Sequence, residues 1–228
     1  MELPMTNVYA TPEKGLIRRG LVHFGVETLR AQGYSVRRSP GHGARQVYEA
    51  TKDGKTLLAA VRTSQDTWFA FPRLADDSGW LTLDDVDWVL VASVDTPHEP
   101  TQAHVHWMPA ADVRLRFDAA YRARLAAGNV VPLGRGLWLS LYDRNAPSPV
   151  SHVGGGFGLD YPAIATQSMT EILAAMPEFE EAMAPESIEA QTFDEETDTP
   201  AFDLLEAKRM IARALNVPIE AVRIIIEV

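Results

Sequence analysis

Residues 46–64 read Gln-Val-Tyr-Glu-Ala-Thr-Lys-Asp-Gly-Lys-Thr-Leu-Leu-Ala-Ala-Val-Arg-Thr-Ser, and the fold turns on this stretch. Asp53-Gly54 is a turn dipeptide, so residues 46–51 and 56–63 on either side of it read as the two strands of a β-hairpin. Upstream, Thr11-Pro12-Glu13 supplies an N-cap, a proline for the first helical position and an acid for the first turn. Ile17, Leu21 and Phe24 then recur on one face, which predicts an amphipathic helix. It should stop at Gly33, a residue suited to the position just past a helix end, and Tyr34-Ser35-Val36 begins an extended segment. Downstream, residues 67–72, 87–94 and 103–108 read as three further strands, with 87–94 apolar enough to sit in the middle of a sheet. Residues 117–127 look helical and end at Gly128, and 136–142 forms one more edge strand.

The texture changes beyond Asn145. Pro147 and Pro149 precede Gly154-Gly155-Gly156-Phe157-Gly158, a run that packs poorly as helix or strand and reads as a hinge at a domain boundary. A short acidic helix over 169–183, interrupted near Pro177, and a polar stretch over 186–200 complete an expected linker. Order should return at Thr199-Pro200, which caps a helix through Leu204, Ala207, Ile211 and Leu215 and leads to a β-branched strand over 222–228. The expectation is an α/β (α+β) fold in three parts. These are a mixed central sheet flanked by helices over 1–150, an acidic Gly/Pro-containing linker over 151–199, and a helix–strand module over 200–228. A lone helix and strand cannot bury their own apolar face, so Ile211, Leu215, Ile224 and Ile226 should dock on the core or on a second chain. Strand 222–228 therefore predicts sheet extension or a homodimer.

A chain of 228 residues, 46% of them hydrophobic, can build a substantial core, which excludes disorder throughout. The absence of cysteine excludes a disulfide framework, a thiolate zinc site and a cysteine nucleophile, and makes an intracellular chain the default. Met1-Glu2-Leu3-Pro4-Met5 is not a basic patch followed by an apolar run, and the longest apolar stretches, 88–94 and 224–226, are too short to span a bilayer. The expectation is a cytoplasmic protein with no membrane partner.

The net charge of −10 is unevenly spread. Residues 1–62 carry 10 basic and 5 acidic side chains, whereas 151–228 carry 4 and 15. A basic front therefore precedes an acidic back, and a polyanion would be attracted to the first and repelled by the second. Arg18, Arg19, Arg37, Arg38, Arg45 and Arg62 are the candidates for phosphate contact, with Arg37-Arg38 and the loop 41–45 the best local site. Trp68, Trp80, Phe69 and Phe71 could stack bases beside that front, although core packing explains such residues equally well.

The order helix, strand, hairpin, strand over residues 13–125, with Leu57-Leu58-Ala59-Ala60-Val61-Arg62-Thr63-Ser64 as the second hairpin strand, resembles the PD-(D/E)XK restriction-endonuclease-like nucleases. Lys14-Gly15 on the first helix and Met108-Pro109 after the later strand share the same cadence. The resemblance implies a restriction-endonuclease-like core. It also implies a reaction in which carboxylates hold a divalent metal while a lysine positions or activates the attacking water. At the positions that match the family's Glu-x-Lys stand Ala60 and Arg62. Alanine cannot ligate a metal, and arginine stays protonated and cannot act as a base. The hairpin acid is matched by Gln46 or Tyr48, with Glu49 one step off register and so expected on the other sheet face, and the helix Glu falls near Arg18 or Arg19.

Three functions follow as expectations. The first is a non-catalytic binding protein, for nucleic acid or protein, that needs no cofactor. The second is a magnesium-dependent nuclease whose carboxylates have migrated to Glu27, Glu49 or Asp53, with Arg62 beside them. The third is an acidic, immunity-type protein that occupies a partner's basic groove. His104 and His106, two apart on one strand, have the spacing of a metal pair but no acid at an obvious spacing to complete a shell, so a polar strand face is the plainer reading. Asp84, Asp85 and Asp87 read as a solvated strand entry, and Ser151-His152 lies in the expected hinge, where a nucleophile would not be held.

Overall fold

The computed structural model describes residues 11–42, 45–97, 99–144 and 146–176. Helix α1 (Pro12–Ala31) starts where the capping pattern places it. The Thr11 hydroxyl accepts the Lys14 N–H at 3.3 Å, and Gly33, at φ +89°, turns the chain out of the helix into β1 (Ser35–Arg38). The hairpin is β2 (Val47–Lys52) and β3 (Lys55–Ser64), joined by Asp53 and Gly54, both in the left-handed region. There follow β4 (Trp68–Pro72), β5 (Trp88–Val94), β6 (Gln102–Pro109), α2 (Ala110–Ala126) and β7 (Gly136–Ser140). The described chain ends with α3 (Phe157–Asp160), β8 (Ala165–Ser168) and α4 (Met169–Ala174).

The result is an α+β architecture around a mixed six-stranded sheet of order β1-β2-β3-β5-β6-β8, antiparallel throughout except for the parallel pair β3/β5. As its apolar run predicts, β5 lies inside the sheet, and every residue from Val89 to Val94 is buried. One face is covered by α1 and α4. Leu21, Phe24, Val26 and Leu29 pack there on Tyr48, Val61, Leu90 and Ala92, with Met169 and Ile172 closing the side. The approach is close: a Cβ on Gly25 would lie 2.6 Å from Leu90 Cδ2.

Strand β4 does not join this sheet. It pairs antiparallel with β7 as a separate ribbon, which packs with α2 over the other face of the sheet. A parallel β3/β5 pair needs a crossover, and β4 lies within that crossover, so the seat beside β3 is already taken by β5. Phe69, Phe71, Leu137 and Leu139 of the ribbon join Val113, Phe117 and Ala120 of α2 above Val47, Ala60, Val89 and Val91. Helix α2 begins at Ala110, a turn and more before the expected start at 117, because the helix sets off directly from Pro109 at the end of β6.

Residues 151–176 also differ from the linker that the sequence suggests. They belong to the same unit, Met1–Ile188, as the sheet. Phe157 is fully buried, its ring 5.0 Å from Phe69; β8 pairs with β6; and Ile172 is buried beside α1. The glycines are there for close packing: a Cβ on Gly154 would meet the Arg116 carbonyl oxygen at 2.5 Å, and one on Gly155 the Asp143 carbonyl oxygen at 2.5 Å. The helix and strand expected over 200–228, the dimer built on them and most of the acidic stretch lie outside the described residues. Among the described residues no helix is long and apolar enough to cross a membrane.

Phe117 makes ring contacts with Phe69, Phe71, Trp80 and Phe157. Phe117→Ala is therefore expected to lower the unfolding free energy by about 3–5 kcal/mol, checked by urea titration.

Candidate functional site

The place where the resemblance puts hydrolytic chemistry is dry. The β2/β3 register sets Val47 opposite Ala60, both buried under the aromatic rings of the β4/β7 ribbon. Arg62, on the same face, lays its guanidinium over the Phe71 ring at 4.4 Å and donates to the Arg45 carbonyl oxygen at 3.1 Å. A methyl group and an isopropyl group offer no oxygen to a divalent cation, so these residues do not fit the metal that the resemblance implies.

Glu49 lies on the face away from Tyr48, as its one-residue offset predicts. It shares the face of Val47, Ala60 and Arg62, because the register pairs it with Leu58 two steps from Ala60. Its carboxylate is taken by an ion pair with Arg37 on the neighbouring strand. Glu27 lies on α1, across the sheet from Glu49, and pairs with Arg30 at 2.6 Å. Asp53 sits in the hairpin turn. The three acids do not converge, and among the described residues no group of three or more His, Asp or Glu could hold a metal ion.

The arginines do gather, around the edge of the sheet formed by β1. Arg37 and Arg38 point to opposite faces of that edge strand. On the α1 side, Arg38 stands opposite Tyr48, and the positive charges of Arg38, Arg18 and Arg30 work against the rise that burial imposes on the Tyr48 hydroxyl pKa. On the ribbon side stand Arg37, Arg62 and Arg45, the last 3.7 Å from Asp85. Arg37 remains largely exposed despite its ion pair. Arg19 is exposed on α1.

His104 and His106 share a strand face, as their spacing predicts, but they are engaged separately. His104 Nδ1 is 2.9 Å from the Thr166 hydroxyl. His106 is buried, which lowers its pKa and keeps it neutral. Its Nδ1–H donates to the Tyr161 carbonyl oxygen at 2.7 Å, so Nε2 accepts from the Tyr142 hydroxyl at 2.9 Å. Both nitrogens are thus occupied, Nδ1 in fastening the 154–161 segment to β6 and Nε2 in holding Tyr142, just beyond β7. Trp80, Phe69 and Phe71 are core residues closed to bases, and Trp68 packs against His152. Two of the three acids at the strand entry also have structural work: Asp84 accepts the Trp80 N–H and pairs with Arg114, and Asp87 accepts the Leu58 N–H.

The sequence reading overlooked two surfaces. One is a cleft lined by Arg73, Trp80, Asp84, Arg114, Asp118, Tyr121 and Arg122. Its charges are largely spent in ion pairs, Arg73–Asp77 at 2.7 Å, Arg114–Asp84 at 2.6 Å and Arg73–Asp118 at 3.8 Å, and Asp118 also accepts the Trp80 Nε1–H at 2.8 Å. The other is a row of partly exposed aromatic rings on the α1 face, formed by Tyr34 just before β1, Trp107 near the end of β6 and Trp88 at the start of β5. Only the alternation of Trp107 with Val105 and of Trp88 with Leu90 hinted that these rings share a face. Compared with protein-family models, curated proteins and solved structures, the chain finds no match.

Two outcomes follow from this geometry. Ala60→Glu buries a carboxylate among rings and methyl groups, which raises that acid's folded pKa above its unfolded value. Its cost of about 3–5 kcal/mol should therefore be felt above the unfolded pKa and relieved as pH falls, as urea titrations at two pH values will read. His106 shifts the opposite way. With its folded pKa below the ordinary 6.5, its neutral form stabilises the fold fully above that value, and the stability is lost as pH drops below it. His106→Gln should flatten that acid limb in thermal melts taken between pH 7 and pH 5.

Proposed function

We propose that this protein is a non-catalytic nucleic-acid-binding protein built on a restriction-endonuclease-like core, gripping the phosphate backbone with the arginines around the β1 edge. The succession of α1, β1, the β2/β3 hairpin and the parallel strand β5 supports the core reading. The observation that carries the functional reading is a pairing of opposites on one hairpin. Ala60 and Val47 are sealed under Phe69 and Phe71, while Arg37, Arg38, Arg18, Arg45 and Arg62 flank the adjacent strand edge. Guanidinium groups hold phosphate without any proton transfer, so binding does not depend on the carboxylate and lysine whose places Ala60 and Arg62 take.

Binding of this kind weakens with salt as counterions are reclaimed by the nucleic acid. Fluorescence anisotropy with a labelled oligonucleotide should give a log Kd that rises linearly with log salt concentration. Arg37→Ala and Arg38→Ala together should weaken binding and reduce that slope by about one for each phosphate contact removed. Plasmid and RNA should stay intact with magnesium present. Magnesium-dependent cleavage, or binding insensitive to salt, would overturn the reading.

A further inference from the structure

On the α1 face of the sheet the indoles of Trp88 and Trp107 stack with ring centroids 5.0 Å apart and planes 11° from parallel, Trp88 standing in the register row of Arg38, Tyr48 and Ala59. Tyr34 extends the row, its ring 6.4 Å from Trp107, and the Lys52 ammonium lies 5.3 Å over the Tyr34 ring. All three rings are partly exposed, unlike Phe69, Phe71, Phe117 and Trp80, which the core encloses. Aromatic pairs in proteins favour edge-to-face or offset-stacked contacts; the rings around Phe117 take the first form and the indole pair the second. A near-parallel indole pair at a sheet surface presents broad flat faces of the kind that unpaired bases cover.

The setting suits the same kind of ligand. Tyr34 directly precedes β1, so its ring and the Arg37–Arg38 pair occupy the two ends of one short strand, about 13 Å apart at the usual strand rise, and its approach to Trp107 links that strand to the indoles of β5 and β6. Lys52, which lies over the Tyr34 ring, pairs in register with Lys55 at the hairpin end, so two positive charges sit at that end. A duplex cannot use this arrangement, because its bases are stacked on one another and closed to a protein ring. A single strand can lay its backbone along the β1 edge and turn a base onto the indoles.

Resting on the binding function proposed above, we infer that Tyr34, Trp107 and Trp88 form a stacking platform, and that the ligand of the β1 edge is single-stranded rather than duplex nucleic acid. The test uses the full chain and an oligothymidylate of about 12 nucleotides, within the usual range of single-strand site sizes, compared with the same strand annealed to its complement. The single strand should bind at least tenfold more tightly than the duplex. Trp88→Leu and Tyr34→Leu should each weaken it about tenfold, the scale of one lost base stack, while leaving duplex binding unchanged. A 5-iodouracil version of the oligonucleotide should photo-crosslink to Tyr34, Trp88 or Trp107 in the unmodified protein, which keeps the test sharp if a variant fails to fold. Equal affinity for duplex, or crosslinks confined to other residues, overturns the platform and leaves the arginine edge standing. Failure of both DNA forms to bind at low salt overturns both.

Discussion

The two-sided burial of β5 organises this protein. A strand with water on neither face needs a cover on each, and the sequence supplies two unlike ones: α1 with α4 on one side, the β4/β7 ribbon with α2 on the other. Because β5 also runs parallel to β3, the chain between them must cross a face of the sheet, and in crossing it lays down β4, half of that second cover. The sealed state of Ala60 and Val47 is a by-product of the same demand. The residues next to a fully buried strand, on the side where the ribbon lands, cannot stay wet.

That arrangement separates two requirements that an enzyme would have to meet in one place. Hydrolysis at the hairpin would need several oxygens and a titratable base on a face open to water. Packing β5 needs the same face apolar, and packing has prevailed at Ala60, Val47 and Phe71. The positive charge is displaced to the strand edge, where Arg37 sits largely exposed and paired with Glu49.

Much of the scaffold was legible in the residues. Thr11-Pro12, Gly33 and Asp53-Gly54 mark boundaries through local chemistry, and each acts where its chemistry requires. What escaped reading depends on contacts between residues far apart in the chain. Nothing local tells β4 that its partner is β7, some seventy residues on, rather than β3. Gly154 and Gly155 look like slack because sequence shows the absent side chain but not the Arg116 and Asp143 carbonyls pressed against the space it leaves. Glu49 lies on the face away from Tyr48, as a one-residue offset requires, but that this is the face of Ala60 and Arg62 follows from the hairpin register and not from spacing alone. The candidate arginines could be listed from composition, yet their gathering around one strand edge, and the ring row across the α1 face, belong to the sheet.

The close seat of Gly25 on Leu90 has a mechanical meaning for that edge. A helix that rests on smooth side chains can slide when pulled, whereas one whose backbone is notched over a leucine at the centre of the sheet cannot shift without lifting. Arg18 lies roughly two turns along the same helix. A tug on its guanidinium is therefore borne by the middle of the sheet, and α1 behaves as a beam clamped at its midpoint.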